Sequence, residues 1–376
     1  MKPDGRIGVI HLLTDRNTGG AGKHLLYLLS ASDRERFDYT VVLPDGAETA
    51  PEFEKLGVRV ITLPGFFKSR APGCYKALKK LFEEEKPNVV HTHSSLTARR
   101  AAKAAGVPLI VMTKHCSDMP PEYTRDLLGR TICRAHFKKT LDHAIATDES
   151  AAAALTACGM PEGMITVIEN GALPLQDHTE DEKAALREKL DIPEGAIIAG
   201  CFSRLEPVKA IHDVLAAAAL LKKQAGNLYF IIVGKGSLEE QLKQTAHDYG
   251  IEDRVRFCGF AGDISLYMSL CTFNLNTSTG TETTNLALTE GMNLGVIPVV
   301  TDTGGNRRLV ERGDCGEVIP PDDPPALAAA LLKLMRDPEQ IVYYRKKALS
   351  FYECSRTAER MAEETEQLYL RLLGMA

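Results

Sequence analysis

One feature constrains this chain above all others: short apolar runs alternate with helical periodicity, in two blocks separated by a polar break. In the first block the runs are 6–13, 38–44, 58–64, 88–93, 108–115, 143–148 and 165–170. Amphipathic or Ala-rich stretches lie between them, near 20–31, 73–85, 95–105, 122–141 and 148–158. Apolar runs this short, bounded by turn residues, read as buried strands. Strand and helix in alternation predict a parallel sheet covered on both faces, and right-handed crossovers make it doubly wound. The polar segment 171–195 reads as a linker carrying one short helical pattern.

The alternation then restarts. Strand-like runs fall at 196–204, 228–236, 254–260, 271–277, 296–302 and 316–320. Helical stretches lie near 208–224, 238–249, 284–293, 324–335 and 337–351, and 356–374 is a charged amphipathic helix. The pattern predicts an N-terminal α/β domain over 1–175 and a second over 176–355, with 356–376 as a final helix. No sequence repeat links the two. Open parallel sheets bind ligands beyond the carboxyl ends of their strands, so polar residues just after strands are the candidates for chemistry.

Composition narrows the classes. At 44% apolar and 25% charged residues over 376 positions, the chain has a globular composition and is not disordered or fibrous. Aromatic residues are only 6% and Trp is absent, so the cores must pack on aliphatic side chains, as in α/β folds. Nine Cys with no C-x-x-C pair fit neither a disulfide framework nor a zinc ribbon, and predict a reducing cytoplasm. The start MKPDGRIGVIHLL lacks the apolar core of a secretory signal, and no apolar run reaches spanning length. Net charge is −5, so no global basic excess points to nucleic acid. The first half is nonetheless slightly basic, which suits an anionic acceptor or membrane surface, or is chance.

Arg204 ends the run 196–204, and Lys209 follows as the chain enters a helix. Two cations at a strand end beside a helix N-terminus can hold an anion; the alternative is a solvated surface pair. Gly234 and Gly236 form a G-x-G between strand and helix, which permits backbone approach to a phosphate or is a plain turn. The third Gly of a dinucleotide fingerprint is absent and no acid ends the next strand, which argues against NAD. In 277–305, Glu282 precedes Thr283, Thr284 and Asn285 at a predicted helix start, and Glu290 sits eight positions on. Hydroxyls and free amides there cap the helix or bind anions. A buried Glu290 would need partners such as sugar or ribose hydroxyls; an exposed one would not.

These motifs together resemble the retaining glycosyltransferases of family 4, which have the GT-B fold of two Rossmann-like domains. The chain shows Arg204-x4-Lys209, Glu282-x7-Glu290, GVIPVV at 295–300 and Gly304-Gly305 in the family's order. The N-terminal half is similar too, in NTGGAGKHLLYLL (17–29), KPNVVHTHS (86–94), TKH (113–115) and VIENGA (167–172). The resemblance implies two doubly wound domains facing a central cleft, closure over the donor, and the last helix crossing back to the first domain. It implies that Arg204 and Lys209 hold the donor diphosphate, with Gly234, Thr283, Thr284 and Asn285 beside it. Glu290 would bond the ribose, Glu282 the transferred sugar. Gly19 and Gly20 would admit the donor phosphate, and His115 would act near the reacting centre. His93 either lines the acceptor site or caps its strand.

The implied function is transfer of a sugar, with retention, from a nucleotide diphosphate sugar. UDP is the expected carrier, and the acceptor a polysaccharide or lipid-linked glycan. No cofactor and no metal are expected: a D-x-D motif is absent, and PDDP at 321–324 reads as a helix start. The segments 66–82 and 124–141 mix apolar and basic residues, so they are either membrane-contacting faces or ordinary amphipathic helices. The chain is expected in the cytoplasm, with peripheral contact to the inner membrane face as one outcome. Departures from the family pattern are Glu282-Thr283-Thr284, GGNRR at 304–308, and Gly22-Lys23 after the first glycines. They leave room for an epimerase on the same fold or a non-catalytic nucleotide-sugar binder. A dehydrogenase is less consistent still.

Overall fold

The computed structural model describes residues 2, 4–17, 19–65, 73–280, 283 and 285–375. It forms two compact units: Met1–Ala172 with Thr357–Ala376, and Leu173–Arg356.

The first unit is built on β1 (Ile7–Leu13), β2 (Phe37–Pro44), β3 (Arg59–Leu63), β4 (Val89–His93), β5 (Leu109–Lys114), β6 (His143–Ala146) and β7 (Ile165–Val167). Its helices are α1 (Gly20–Ser30), α2 (Ala50–Lys55), α3 (Cys74–Glu85), α4 (Leu96–Ala104), α5 (Leu127–Thr140) and α6 (Glu149–Ala157). All pairings are parallel, in the order β3-β2-β1-β4-β5-β6-β7. Every residue of β1 and β4 is buried; β1 reads as an apolar run broken by His11, whereas β4 buries His91, Thr92 and His93 beside its two valines. The strand order reverses between β1 and β4, so their carboxyl ends form the switch point where such sheets bind ligands.

The second unit carries β8 (Ile197–Phe202), β9 (Leu228–Val233), β10 (Val255–Gly259), β11 (Phe273–Asn276), β12 (Ile297–Thr301) and β13 (Glu317–Ile319). Its helices are α7 (Glu180–Lys189), α8 (Ile211–Leu221), α9 (Glu239–Asp248), α10 (Ser265–Ser269), α11 (Leu286–Asn293), α12 (Asn306–Gly313), α13 (Pro324–Met335) and α14 (Pro338–Ser355). The parallel order is β10-β9-β8-β11-β12-β13, with its switch between β8 and β11. The last helix, α15 (Ala358–Leu372), belongs to the first unit, where Met361, Ala362, Leu368 and Tyr369 join Val9, Leu25 and Val41 in one core.

Three helices escape the sequence reading. Two of them, α2 and α10, are too short to show a period. The third, α12, begins directly after Gly304-Gly305, where only a turn was expected. The segment 171–195 is also more than a linker. Thr179 and Glu182 form a reciprocal capping box that starts α7, and Leu186 and Ile192 are buried in the core of the second unit. PDDP does start a helix: Asp323 caps α13 by accepting from the Ala326 amide at 2.9 Å.

Candidate functional site

In the second unit, Arg204 and Lys209 lie on the loop that leaves β8. Arg204 is exposed and Lys209 half-buried. The loop is fastened from three sides. The Leu205 amide donates to the Lys235 carbonyl at 3.0 Å, and the Leu238 amide to the Leu205 carbonyl at 3.0 Å. Glu206 accepts from the Ser237 hydroxyl (2.8 Å) and amide (3.1 Å). Thr277 Oγ1 donates to the Lys209 and Ala210 carbonyls at 3.0 and 3.1 Å. Ala210 then takes a left-handed conformation (φ 47°) and opens α8 without a side-chain cap. Two cations thus stand after a strand end next to a helix start that has no side-chain cap, an arrangement that can hold an anion.

Gly234 and Gly236 acquire an internal explanation. A Cβ on Gly234, at φ 151°, would lie 1.9 Å from the Ser203 carbonyl oxygen, and one on Gly236 would lie 2.2 Å from that of Leu205. These glycines let the Arg204 loop lie against the end of β9. Gly234 therefore shapes the anion loop whether or not it also meets a ligand.

The stretch after β11 is described only in part: Glu282 and Thr284 lie outside the described residues. Thr283 is buried. Asn285 caps α11 itself, accepting from the Ala287 amide at 2.9 Å. Glu290 is fully buried in α11, the alternative in which its carboxyl needs polar partners. Nearby, the buried atoms Asn276 Nδ2, Thr289 Oγ1 and Asn306 Oδ1 have no partner, the condition a polar ligand relieves. Arg307, a departure from the family pattern, is held by Asp302 at 2.7 and 2.6 Å and by Glu311 at 2.9 Å. Its charge is therefore satisfied locally.

In the first unit, Gly19 caps α1 in an extended conformation (φ −100°) and Gly20 is its first helical residue. A Cβ on either would meet nothing within 4 Å. Neither backbone angle nor packing asks for glycine there, unlike Gly234. The open space beside a helix start with no side-chain cap suits a phosphate.

His115 follows β5 and belongs to a cluster that the sequence reading did not foresee. His11 on β1, His24 on α1, and His91 and His93 on β4 are all buried, and His115 is half-buried. His11 Nδ1 meets His93 Nε2 at 3.2 Å, and His93 Nδ1 meets His115 Nε2 at 2.7 Å. His91 is held by Tyr369 Oη (2.5 Å) and Thr113 Oγ1 (2.6 Å), and His24 Nδ1 by Asn170 Oδ1 (2.9 Å). The rings of His91 and His93 stack at 4.8 Å, those of His93 and His115 at 5.0 Å. Burial pushes His11 down to about 3 and His24 to about 4. It also holds His91, His93 and His115 well below the usual imidazole range, with the neighbouring histidines adding to the shift. All five are neutral at pH 7. A clue existed in the sequence, where the period of two puts His91 and His93 on one face of their strand; the pairing of β1 with β4 that sets His11 opposite His91 is seen only in the structure.

Three neutral imidazoles invite a metal, and ligand atoms of His24, His93 and His115 do lie within 4.8 Å of one another. Tetrahedral zinc with nitrogen ligands at about 2.0–2.1 Å needs them roughly 3.3 Å apart. The 2.7 Å between His93 and His115 is instead a hydrogen bond, so this arrangement does not fit such an ion. No helix among the described residues is long and apolar enough to cross a membrane.

Comparison with known proteins bears on both units. The model of the family described as Glycosyltransferase Family 4 matches residues 18–172, and that of Glycosyl transferases group 1 matches 182–351. EpsD of Bacillus subtilis is 31% identical over 186 residues, 48% of each chain, so that match spans about half of the relative's length. The phosphatidyl-myo-inositol mannosyltransferase of Mycolicibacterium smegmatis is 24% identical over 91% of this chain and 88% of its own. Among solved structures, HepE of Anabaena, in complex with UDP and glucose, superposes with a TM-score of 0.83 at 21% identity, covering 96% of this chain and 99% of that one. The fold is GT-B.

Proposed function

The chain belongs to the family 4 glycosyltransferases of the GT-B fold, and from that premise we propose that it moves a sugar, with retention, from a UDP-sugar to a glycan or lipid-linked acceptor. The observation that carries the reading is the rigid Arg204–Lys209 loop at the head of α8. Breaking the bond between sugar and phosphate puts negative charge on the leaving nucleoside diphosphate. Arg204, Lys209 and the α8 amides stabilise that charge where it develops, with no need of a metal. Glu290 bonds the ribose, and Glu282 the transferred sugar. Gly19, Gly20 and His115 of the first unit serve the sugar phosphate. No carboxylate is assigned as nucleophile, so the departing phosphate takes the acceptor's proton on the face it leaves.

UDP is supported by the UDP complex of HepE, and a lipid-linked acceptor by the mannosyltransferase that acts on phosphatidyl-myo-inositol. The surface of α5 adds to the latter. Leu127 (86% exposed), Leu128 and Ile132 stand beside exposed Arg130, Arg134, Lys138 and Lys139. Such a face suits an anionic leaflet, reached from the cytoplasmic side. The other candidate, 66–82, lies outside the described residues over 66–72.

Thermal stabilisation by UDP, GDP and ADP tests the donor reading, with an Arg204→Ala/Lys209→Ala variant alongside. A shift with UDP that the variant loses is the expected result. No shift with any nucleoside diphosphate overturns it.

A further inference from the structure

We propose that His11 and His93 are positioning residues that hold His115 as the neutral tautomer protonated at Nδ1, so that His115 serves as a hydrogen-bond donor and not as a general base. The use made of His115 rests on the glycosyl-transfer reading; the tautomer does not.

The argument begins with two distances. His11, His93 and His115 form a chain through contacts of 3.2 and 2.7 Å. Each contact needs one N–H and one lone pair. Three neutral imidazoles supply one proton each, so the chain runs one way or the other, and all three tautomers change together. The two directions differ in what they leave at the His11 end. If the protons point toward His11, its own proton sits on Nε2. If they point toward His115, Nε2 of His11 is a lone pair.

Two observations choose between them. His11 Nε2 is buried and has no partner. An orphaned N–H is rarer in folded proteins than an underused acceptor. The second observation is a charge. β4 flanks β1 on one side and β2 on the other. His11 turns Nδ1 to His93 on β4, so Nε2 is directed toward the β2 side. There the Tyr39 ring lies 5.8 Å from the His11 ring, and the Arg34 guanidinium lies over Tyr39 at 5.3 Å. The Glu366 carboxylate also accepts from the Tyr39 hydroxyl, at 2.7 Å, but the charged side chain on that side that acts on His11 is Arg34, and its positive charge favours a lone pair and opposes an N–H.

Both select the same direction. His11 donates from Nδ1 to His93 Nε2, and His93 donates from Nδ1 to His115 Nε2. The Nε2 lone pair of His115 is then engaged, and its single proton is on Nδ1. The ring can donate to a phosphate or hydroxyl oxygen. It cannot take a proton from an acceptor hydroxyl without breaking the 2.7 Å bond. Local hydrogen bonds thus set which nitrogen carries the proton, as they do for functional histidines generally.

The test is ¹⁵N–¹H correlation spectroscopy of the full-length, ¹⁵N-histidine-labelled protein at pH 7.5, with His115 assigned by its loss in His115→Gln. The expected pattern is a protonated Nδ1 and an unprotonated, hydrogen-bonded Nε2. A proton on Nε2, or an imidazolium, overturns the proposal. His11→Phe removes the head donor, whereas His11→Asn can keep an amide N–H near the position of Nδ1. Turnover of UDP-glucose as probe should fall about tenfold in kcat for the Phe variant, with KM changed less than twofold, and recover in the Asn variant. A second set of His115 signals should accompany the loss. Equal losses in both variants with the His115 tautomer unchanged would refute positioning. If neither His11 variant folds, the wild-type spectrum still decides. Wild-type protein that neither binds nor turns over a nucleotide sugar defeats the transfer reading and leaves the tautomer measurement standing.

Discussion

Lowering the pH from 7.5 to 5.0 should destabilise the first unit selectively, because its five clustered histidines are neutral when folded and charged when unfolded. Against an ordinary value of 6.5, His11 is down at about 3 and His24 at about 4, both mainly through burial. Between those values the unfolded chain binds more protons than the folded one, so stability rises with pH over that window and is lost as pH falls below 6.5. At pH 5.0 each of these two groups costs about 2 kcal/mol, or about 4 kcal/mol together. His91, His93 and His115 shift in the same direction and add to the loss. The raised carboxyl of Glu366, buried against Tyr39, works the other way, but it is one group against five. At roughly 2–4 °C per kcal/mol for a unit of this size, the melting point should fall by about 10 °C or more. Calorimetry should resolve the first unit's transition moving while that of the second unit, which has no such cluster among the described residues, moves less. Unfolding at pH 5.5 should take up about four to five protons through these side chains. Uptake of one proton or fewer, or a first transition that stays in place down to pH 5.0, would mean that the cluster is hydrated or already charged, and the reasoning would fail.

Three further outcomes follow from the glycines and from α15. Gly234→Ala forces a Cβ to 1.9 Å from the Ser203 carbonyl at φ 151°; it should destabilise the second unit by about 3 kcal/mol in urea titration and weaken UDP binding by displacing Arg204. Gly20→Ala meets nothing within 4 Å; it should keep or raise stability by about 0.5 kcal/mol, while a UDP-sugar affinity that drops at least roughly tenfold in calorimetric titration would mark a phosphate beside α1. Tyr369→Phe removes the 2.5 Å partner of His91 and should cost about 1–2 kcal/mol of first-unit stability in equilibrium unfolding, with UDP-induced stabilisation of the second unit unchanged.

Much of the architecture was legible in the sequence because its information is local. A strand buried on both faces is mostly apolar, and β1, with all seven residues buried, carries His11 as its one polar side chain. Helices of eleven or more residues show their period, so α1, α3, α8 and α13 fell where expected, whereas five-residue α10 could not. Arg204 and Lys209 stood out for the same reason: a strand end and a helix start lie within one short segment. What that segment lacked was its support. That Gly234 and Gly236 make room for the Ser203 and Leu205 carbonyls depends on β8 and β9 being neighbours.

The histidine cluster marks the limit most clearly. By itself the sequence determined which residues are apolar, where the chain turns, and that its motifs follow the order of one family. It showed HTH on one strand and a single histidine on each of two others. Only the tertiary structure, by setting β4 beside β1 and β5 and laying α1 and α15 against them, brought five imidazoles and Tyr369 together. The reason is physical. Backbone conformation and amphipathic period are set by neighbours a few residues away, but hydrogen-bond partners and desolvation are set by whatever packing places alongside. His11 and His93 are 82 positions apart, and His91 and Tyr369 are 278 apart.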